Sequence, residues 1–333
     1  MFSFLLLAFF SVRAVGQHIS PGDLAAQYSL TTSTSFPFPT ATASSPDTQS
    51  LLLNEWSLGR GRIQENPNNL EFVRDPYPNS GSASSGPVLQ VIYPAGSYTH
   101  ASGGGAQFYN LWNTTDGSTF GTMLLSYEMA FEAGFNWVKG GKLPGLRGGL
   151  NSTGCSGGNL STGKECFSAR LMWRRAGRGE VYAYIPKSNK ICDRVGVDCN
   201  EDFGISFNRG SFVMKSGEWM TLSLLVRLND PPNVANGDIQ LFYNGQRVLS
   251  EEGLQIRSAD SVSINGLFFS TFFGGADSSF ATPRTFHTYY RNIQLWGSSA
   301  ASNLTGPTIS NAPSTRCSSF AVLIPALLAL LVA

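Results

Sequence analysis

The chain has 333 residues, with 23 Lys and Arg against 22 Asp and Glu, a formal net charge of +1. That balance excludes a generally basic nucleic-acid binder and an acidic disordered tail. Three histidines, with no HExxH, CxxC or GxxxxGK[ST] motif, exclude zinc proteases, zinc ribbons and P-loop enzymes.

Charged residues are only 14%, while 36 glycines and 12% aromatic residues describe a turn-rich β protein. Residues 2–10, FSFLLLAFF, form an apolar run too short to span a bilayer, and Ala14-Val15-Gly16 follows as a small-x-small cleavage pattern. Residues 1–16 are therefore expected to be a secretory signal peptide. Residues 17–50, rich in Ser, Thr, Pro and Ala from residue 28 onward, are expected to be a linker that buries little. One β domain is predicted over residues 51–297. Its apolar runs are Val88–Tyr93, Met123–Phe131, Phe167–Trp173, Val181–Ile185, Trp219–Leu228, Ile239–Tyr243, Ile264–Phe273 and Tyr289–Trp296, separated by Gly, Asn or Pro clusters. Asn244-Gly245 is a tight hairpin signal. No segment sustains a 3.6-residue period. Many short strands with turn punctuation predict an all-β fold, a single-domain β-sandwich of jelly-roll type.

Residues 298–319 form a polar spacer of small residues and residues 320–333 a short apolar tail, together the pattern of a GPI-attachment signal. Ser302, Asn303, Ser310 and Asn311 are the candidate attachment residues. Cleavage at any of them removes Cys317 and leaves four cysteines. Local spacing suggests the pairs Cys155–Cys166 and Cys192–Cys199, although four cysteines permit three pairings. Sequons at Asn113, Asn151, Asn159 and Asn303 are candidate glycosylation sites. All of these signals point to an extracellular, membrane-tethered protein.

Charge is concentrated in residues 139–187, which hold nine basic and two acidic residues, a local +7 in a chain that otherwise sums to −6. Such a segment predicts a local anion-binding surface. Strand alternation places Ser168, Arg170, Met172 and Arg174 on one face, with Phe167, Ala169, Leu171 and Trp173 on the other. After the turn at Arg175–Gly179, Glu180, Tyr182 and Tyr184 share a face. Pairing Arg174 with Glu180 would set Arg170 opposite Tyr184 and Met172 opposite Tyr182. An arginine and two tyrosines on one sheet face suggest a groove for an anionic sugar chain.

The runs Lys139-Gly-Gly-Lys142-Leu-Pro-Gly-Leu146 and CFSARLMWRRAGRGEVYAYIP (166–186), with Arg209-Gly-Ser-Phe212, Trp219 and Ser270-Thr-Phe-Phe-Gly-Gly275, resemble polysaccharide lyase family 14. The resemblance spans roughly residues 51–297. It implies a β-jelly-roll enzyme that cleaves polyuronates such as alginate or glucuronan by β-elimination, with a functional set at Lys142, Ser168, Arg170, Tyr182 and Tyr184. The two sequons and two cysteines between Lys142 and Ser168 read as a stapled insertion.

Uronate β-elimination removes the C5 proton and expels the C4 oxygen. Its first need is a cation to neutralise the adjacent carboxylate and hold the enolate-like charge. Arg170, with its fixed fork and permanent charge, suits this, and Lys142 adds a compact charge beside it. A tyrosine, Tyr182 or Tyr184, is then expected as base, its pKa of about 10 lowered by the neighbouring cations, with one of the pair as acid. Ser168 is expected to bond substrate or orient Arg170. Lys139, Arg174, Thr271, Phe272, Gly274, Gly275 and His287 are further candidates to line the groove. The glycines and proline of GGKLPGLRGG read either as a plain loop or as backbone that approaches a sugar closely. No cofactor and no metal are expected. The partner implied is an acidic polysaccharide, with no nucleic acid, and with membrane contact only through the anchor. Two other classes compete. One is a carbohydrate-binding module without catalysis. The other is a glycoside hydrolase, which needs paired carboxylates, and the basic segment offers only Glu165 and Glu180.

Overall fold

In the computed structural model, which describes residues 19–82, 86–149 and 154–309, the apolar runs become strands. In chain order these are β1 (Thr32–Ser35), β2 (Leu70–Val73), β3 (Val88–Tyr93), β4 (Ala106–Tyr109), β5 (Thr122–Phe131), β6 (Gly140–Gly149), β7 (Cys166–Arg174) and β8 (Gly179–Tyr184). Then follow β9 (Val197–Cys199), β10 (Ile205–Phe207), β11 (Trp219–Arg227), β12 (Gly237–Tyr243), β13 (Gln246–Leu254), β14 (Ile264–Phe273) and β15 (Phe286–Ser298). The back sheet runs β13-β12-β11-β5-β15-β3-β2, with β1 added on β15, and the front sheet runs β4-β14-β6-β7-β8-β10-β9. Neighbouring strands such as β14 and β6 are distant in sequence and antiparallel. The result is a single-domain jelly-roll sandwich, as expected. β12 and β13 join through Asn244-Gly245, both at positive φ, with Tyr243 opposite Gln246. This is the turn geometry that an Asn-Gly pair favours.

The predicted alternation on β7 holds. Phe167, Ala169, Leu171 and Trp173 join Leu125, Tyr127, Met129 and Phe131 of β5 in one core between the sheets. Trp173 meets Phe131 and Phe273 edge-on, at ring separations of 5.6 and 5.3 Å. Each fully buried aromatic of this kind stabilises the fold by on the order of 1.5–3 kcal/mol before entropy is counted.

Four expectations change. Residues 19–50 are not a linker. Helices α1 (Pro21–Gln27) and α2 (Ser45–Glu55) form there, and Leu24, Phe36, Leu52 and Trp56 are buried. Their Ser and Pro residues are helix-start chemistry: Ser20 accepts from the Asp23 N–H with Pro21 in the first turn. The domain also extends past residue 297, because the Ala235 N–H donates to Pro307 and the Ile309 N–H to Asn233. Ser302 bonds the Asn236 carbonyl and Asn303 accepts from Arg227, so both are built into this edge. The signal segment 1–16, Asn151, Ser310, Asn311, Cys317 and the tail 320–333 lie outside the described residues.

The third change is in register. Arg170 stands opposite Tyr182, Ser168 opposite Tyr184 and Met172 opposite Glu180, a slip of two residues from the expected pairing that preserves every face. The fourth concerns GGKLPGLRGG, which is not a loop but strand β6, inside the front sheet between β14 and β7. A bulge between Leu143 and Gly145 reverses its alternation at Pro144. Leu143 and Leu146 therefore both enter the core. Gly145 is needed by its neighbour strand, since a Cβ there would lie 2.1 Å from the Ala169 carbonyl oxygen.

Candidate active site

The front sheet carries its functional side chains in rows set by register. One row crosses β14, β6, β7 and β8 as Phe272, Lys142, Met172 and Glu180. The next crosses the same strands and β10 as Phe268, Gly145, Arg170, Tyr182 and Ser206. These rows floor a cleft of about 580 Å³, whose lining includes Lys142, Arg170, Met172, Arg174, Tyr182 and Tyr184. The two phenols therefore face the cleft and not the hydrophobic interior. Their rings meet edge to face at 5.9 Å.

Arg170 is 2% exposed. Its Nη1 donates to Ser270 Oγ at 3.2 Å, and that hydroxyl donates to Gln107 Oε1 at 2.9 Å. Gly145 offers no side chain in the row, and the guanidinium lies over the Phe268 ring at 4.4 Å. Its Nε has no hydrogen-bond partner, and no carboxylate pairs with it among the described residues. Burial lowers its pKa from the usual arginine value. An unpaired charge held out of water costs several kcal/mol, and an incoming anion relieves that cost.

Lys142 Nζ lies 3.5 Å from the Tyr182 ring centre and donates to Met172 Sδ at 2.8 Å. Burial, then the charges of Arg170 and Arg174, hold its pKa well below the ordinary lysine range. The expected lowering of a tyrosine pKa is not found at Tyr182: burial and the neighbouring Tyr184 push its phenol up to about 12, outweighing Arg174. The Gly158 N–H donates to the Tyr184 hydroxyl at 3.3 Å.

Other expected residues divide. Arg174 and Phe272 line the cleft with Gly274 and Gly275. Lys139 stands at its rim, 5.1 Å over the ring of Phe280. Ser168 does not reach the cleft: fully buried, it donates to the Cys155 carbonyl at 2.6 Å and anchors the stapled loop. Thr271 points into the sandwich, bonded to the hydroxyls of Tyr93 and Tyr290. His287 belongs to the back sheet, where it meets Glu132 at 2.7 Å. Strand parity accounts for both corrections, since Thr271 alternates with the outward Phe272 and β15 is in the other sheet. The disulfides are Cys155–Cys166 and Cys192–Cys199, as the spacing suggested.

Three residues here had no role assigned from the sequence, although Arg209 and Ser270 lay within its motif runs. Gln107 lies on β4, a strand too short to read. Ser270 lay within a recognised run without an assigned role. Arg209 follows β10 and reaches back to Glu180 at 2.6 Å. Glu180 is fully buried between Arg174 and Arg209. Burial alone would raise its carboxyl, but these two arginines hold it below the usual range. Glu165 is exposed outside the cleft, so it does not pair with Glu180 as the two carboxylates of a glycoside hydrolase would. Among the described residues no three His, Cys, Asp or Glu side chains converge as metal ligands.

The family model for polysaccharide lyase 14 matches residues 81–293. Among solved structures, the marine PL-14 alginate lyase from Aplysia kurodai is 31% identical with a TM-score of 0.65, covering 79% of this chain and 100% of that one. The alginate lyase vAL-1 from Chlorella virus shares the fold at 22% identity and a TM-score of 0.55, covering 66% of this chain and 88% of that one. The alginate lyase Aly36B shares it at 20% identity and a TM-score of 0.57, covering 84% and 98%. Among curated proteins no match is found. With the matched family region spanning most of the sandwich and both rows of the cleft, the chain belongs to polysaccharide lyase family 14 and is a polysaccharide lyase.

Proposed function

We propose that this enzyme cleaves an acidic polyuronate of the alginate or glucuronan kind by β-elimination. The observation that carries the reading is Arg170, a buried guanidinium that faces the cleft without a carboxylate of its own. The uronate carboxylate docks there and its charge is neutralised, which acidifies the C5 proton. Lys142, whose environment favours the neutral amine, accepts that proton. The electron pair forms the C4–C5 double bond as the C4–O4 bond breaks. O4 takes its proton from the Tyr182–Tyr184 pair, and the Lys142 ammonium then returns a proton to the phenolate. This exchanges the roles first expected, because burial raises the Tyr182 phenol to about 12 while burial and two guanidiniums lower the pKa of Lys142. Ser168 acts behind the site, on the loop that brings Gly158 to Tyr184.

Two disulfides and the exposed sequon residues Asn113 and Asn159 support passage through an oxidising secretory route. We place the enzyme outside the cell, tethered through its C-terminal signal, with Ser310 or Asn311 as the attachment residue that leaves the packed edge intact.

The test is release of unsaturated ends, read as ultraviolet absorbance, from alginate and from glucuronan. Lys142→Ala should abolish turnover, and one of Tyr182→Phe and Tyr184→Phe should lose turnover while still binding polymer. Binding by the unaltered protein with no unsaturated ends would favour a carbohydrate-binding module instead.

A further inference from the structure

Beyond the catalytic row, one end of the cleft holds a second cationic group with an unusual counter-ion arrangement. Arg209 Nε is fixed to the fully buried Glu180 at 2.6 Å. Its Nη2 makes a single 3.2 Å contact with Asp198, whose side chain is 70% exposed, and a 3.4 Å contact with Ser206. Its Nη1 has no protein partner among the described residues. Arg174 takes the other oxygen of Glu180 through Nε and Nη2, at 2.8 and 2.5 Å. Arg174, Asp198, Ser206 and Arg209 all line the cleft. Glu180 therefore works as a buried clamp that aims two guanidiniums, while Asp198 is a loosely held, solvent-facing carboxylate resting on one of them.

We propose that Arg209 is a specificity-determining residue that binds the carboxylate of a second uronate, and that Asp198 is the counter-ion this carboxylate displaces. The inference rests on the polyuronate-lyase reading. A sugar carboxylate has the same charge and geometry as the Asp198 carboxylate, and a guanidinium fork pairs with either. Exchange costs little, because an exposed end-on ion pair contributes little net stability. The clamp to Glu180 keeps the fork in place during exchange. Arg209 bonds Ser206, which stands two strands across from Arg170 in the row Arg170, Tyr182, Ser206, about 10 Å across the sheet. A chain of several sugars spans that distance, whereas the shortest substrates reach only Arg170.

The experiment uses the full secreted chain and alginate, as polymer and as size-fractionated oligouronates. Asp198→Asn should lower KM for polymer two- to fivefold, and Arg209→Ala should raise it about tenfold, the loss expected of a charge-assisted hydrogen bond. Both should keep kcat within twofold and leave the shortest cleaved oligouronate unaffected. Improvement on removing Asp198 is a change that structural damage does not produce. The proposal is overturned if Asp198→Asn fails to lower KM, or if Arg209→Ala slows polymer and the shortest oligouronate alike. Calorimetric binding of alginate separates this from the lyase reading. If the unaltered protein releases no unsaturated ends, tighter binding by Asp198→Asn and weaker binding by Arg209→Ala still support the subsite. Equal affinities, or no binding by any form, overturn it.

Discussion

Two arginines, one on each sheet, are equally buried at 2% exposure and differ in what meets their charge. On the back sheet, Arg291 is bonded to Asp75 at 2.5 Å and Glu128 at 2.9 Å, lies 4.0 Å over the Trp219 ring, and donates to the Ser82 carbonyl. On the front sheet, Arg170 has one serine hydroxyl, a phenyl ring and an idle Nε. The first is a closed network that holds the 74–82 segment against β5, β11 and β15. The second is an open one that keeps a charge available at the floor of a cleft. The cost of desolvation is met by protein in one case and left for a ligand in the other. On the proposed mechanism, an uncompensated buried charge marks the functional arginine where burial and residue type do not.

The sharpest way to break this comparison is to remove each charge with a side chain of similar length. Arg291→Met should destabilise the fold by about 3–5 kcal/mol, because it leaves Asp75 and Glu128 buried without their cation. Denaturant unfolding measures this, and the folded fraction should keep its turnover. Arg170→Met should do the reverse. Turnover on polyuronate should fall about 10²–10³-fold, the loss typical of one group that stabilises developing negative charge, with a melting temperature no lower than before. A large loss of stability in Arg170→Met would show that the guanidinium is structural after all.

Lys142 extends the front-sheet argument to pH. Its folded pKa is depressed by burial, Arg170 and Arg174, so the unfolded chain binds the proton more readily. The resulting penalty is absent at strongly alkaline pH and grows as pH falls from the ordinary lysine value toward the lowered one. Lys142→Met should therefore raise the melting temperature at neutral pH, with the gain shrinking at alkaline pH, while turnover is lost. In the unaltered enzyme, kcat/KM should fall on acidification as the amine is protonated. The smallest effect is expected at Ser168. Ser168→Ala removes one hydrogen bond to the Cys155 carbonyl and should cost about 1 kcal/mol, with kcat falling less than in the tyrosine variant that loses turnover.

The unequal legibility of the site has a physical basis. Arg170, Tyr182 and Tyr184 were readable because β7 and β8 alternate without interruption, and a two-residue slip in pairing leaves every face unchanged. The strand under Lys142 was not readable as a strand. Pro144 sits at a bulge, so the inward positions Leu143 and Leu146 are three apart, and no simple alternation appears. Residues 19–50 were misread for a related reason: the Ser and Pro composition of a linker is also that of two helix starts with Ser at the N-cap and Pro in the first turn.

Local order therefore settled the faces of β7 and β8, the hairpin at Asn244-Gly245 and the motif residues that make this chain a family 14 lyase, and suggested the two disulfides, because each depends on spacing along one stretch of backbone. Whether each polar residue faces ligand or protein was decided only when the sheets came together. Ser168 and Thr271 were turned to protein partners, and His287 was carried to the opposite sheet. Tyr182 was buried deeply enough to stay protonated, and Lys142 was placed near two guanidiniums that favour its neutral form. Desolvation and the sign of neighbouring charge are properties of the assembled interior, and the roles proposed for residues that the sequence could only name rest on them.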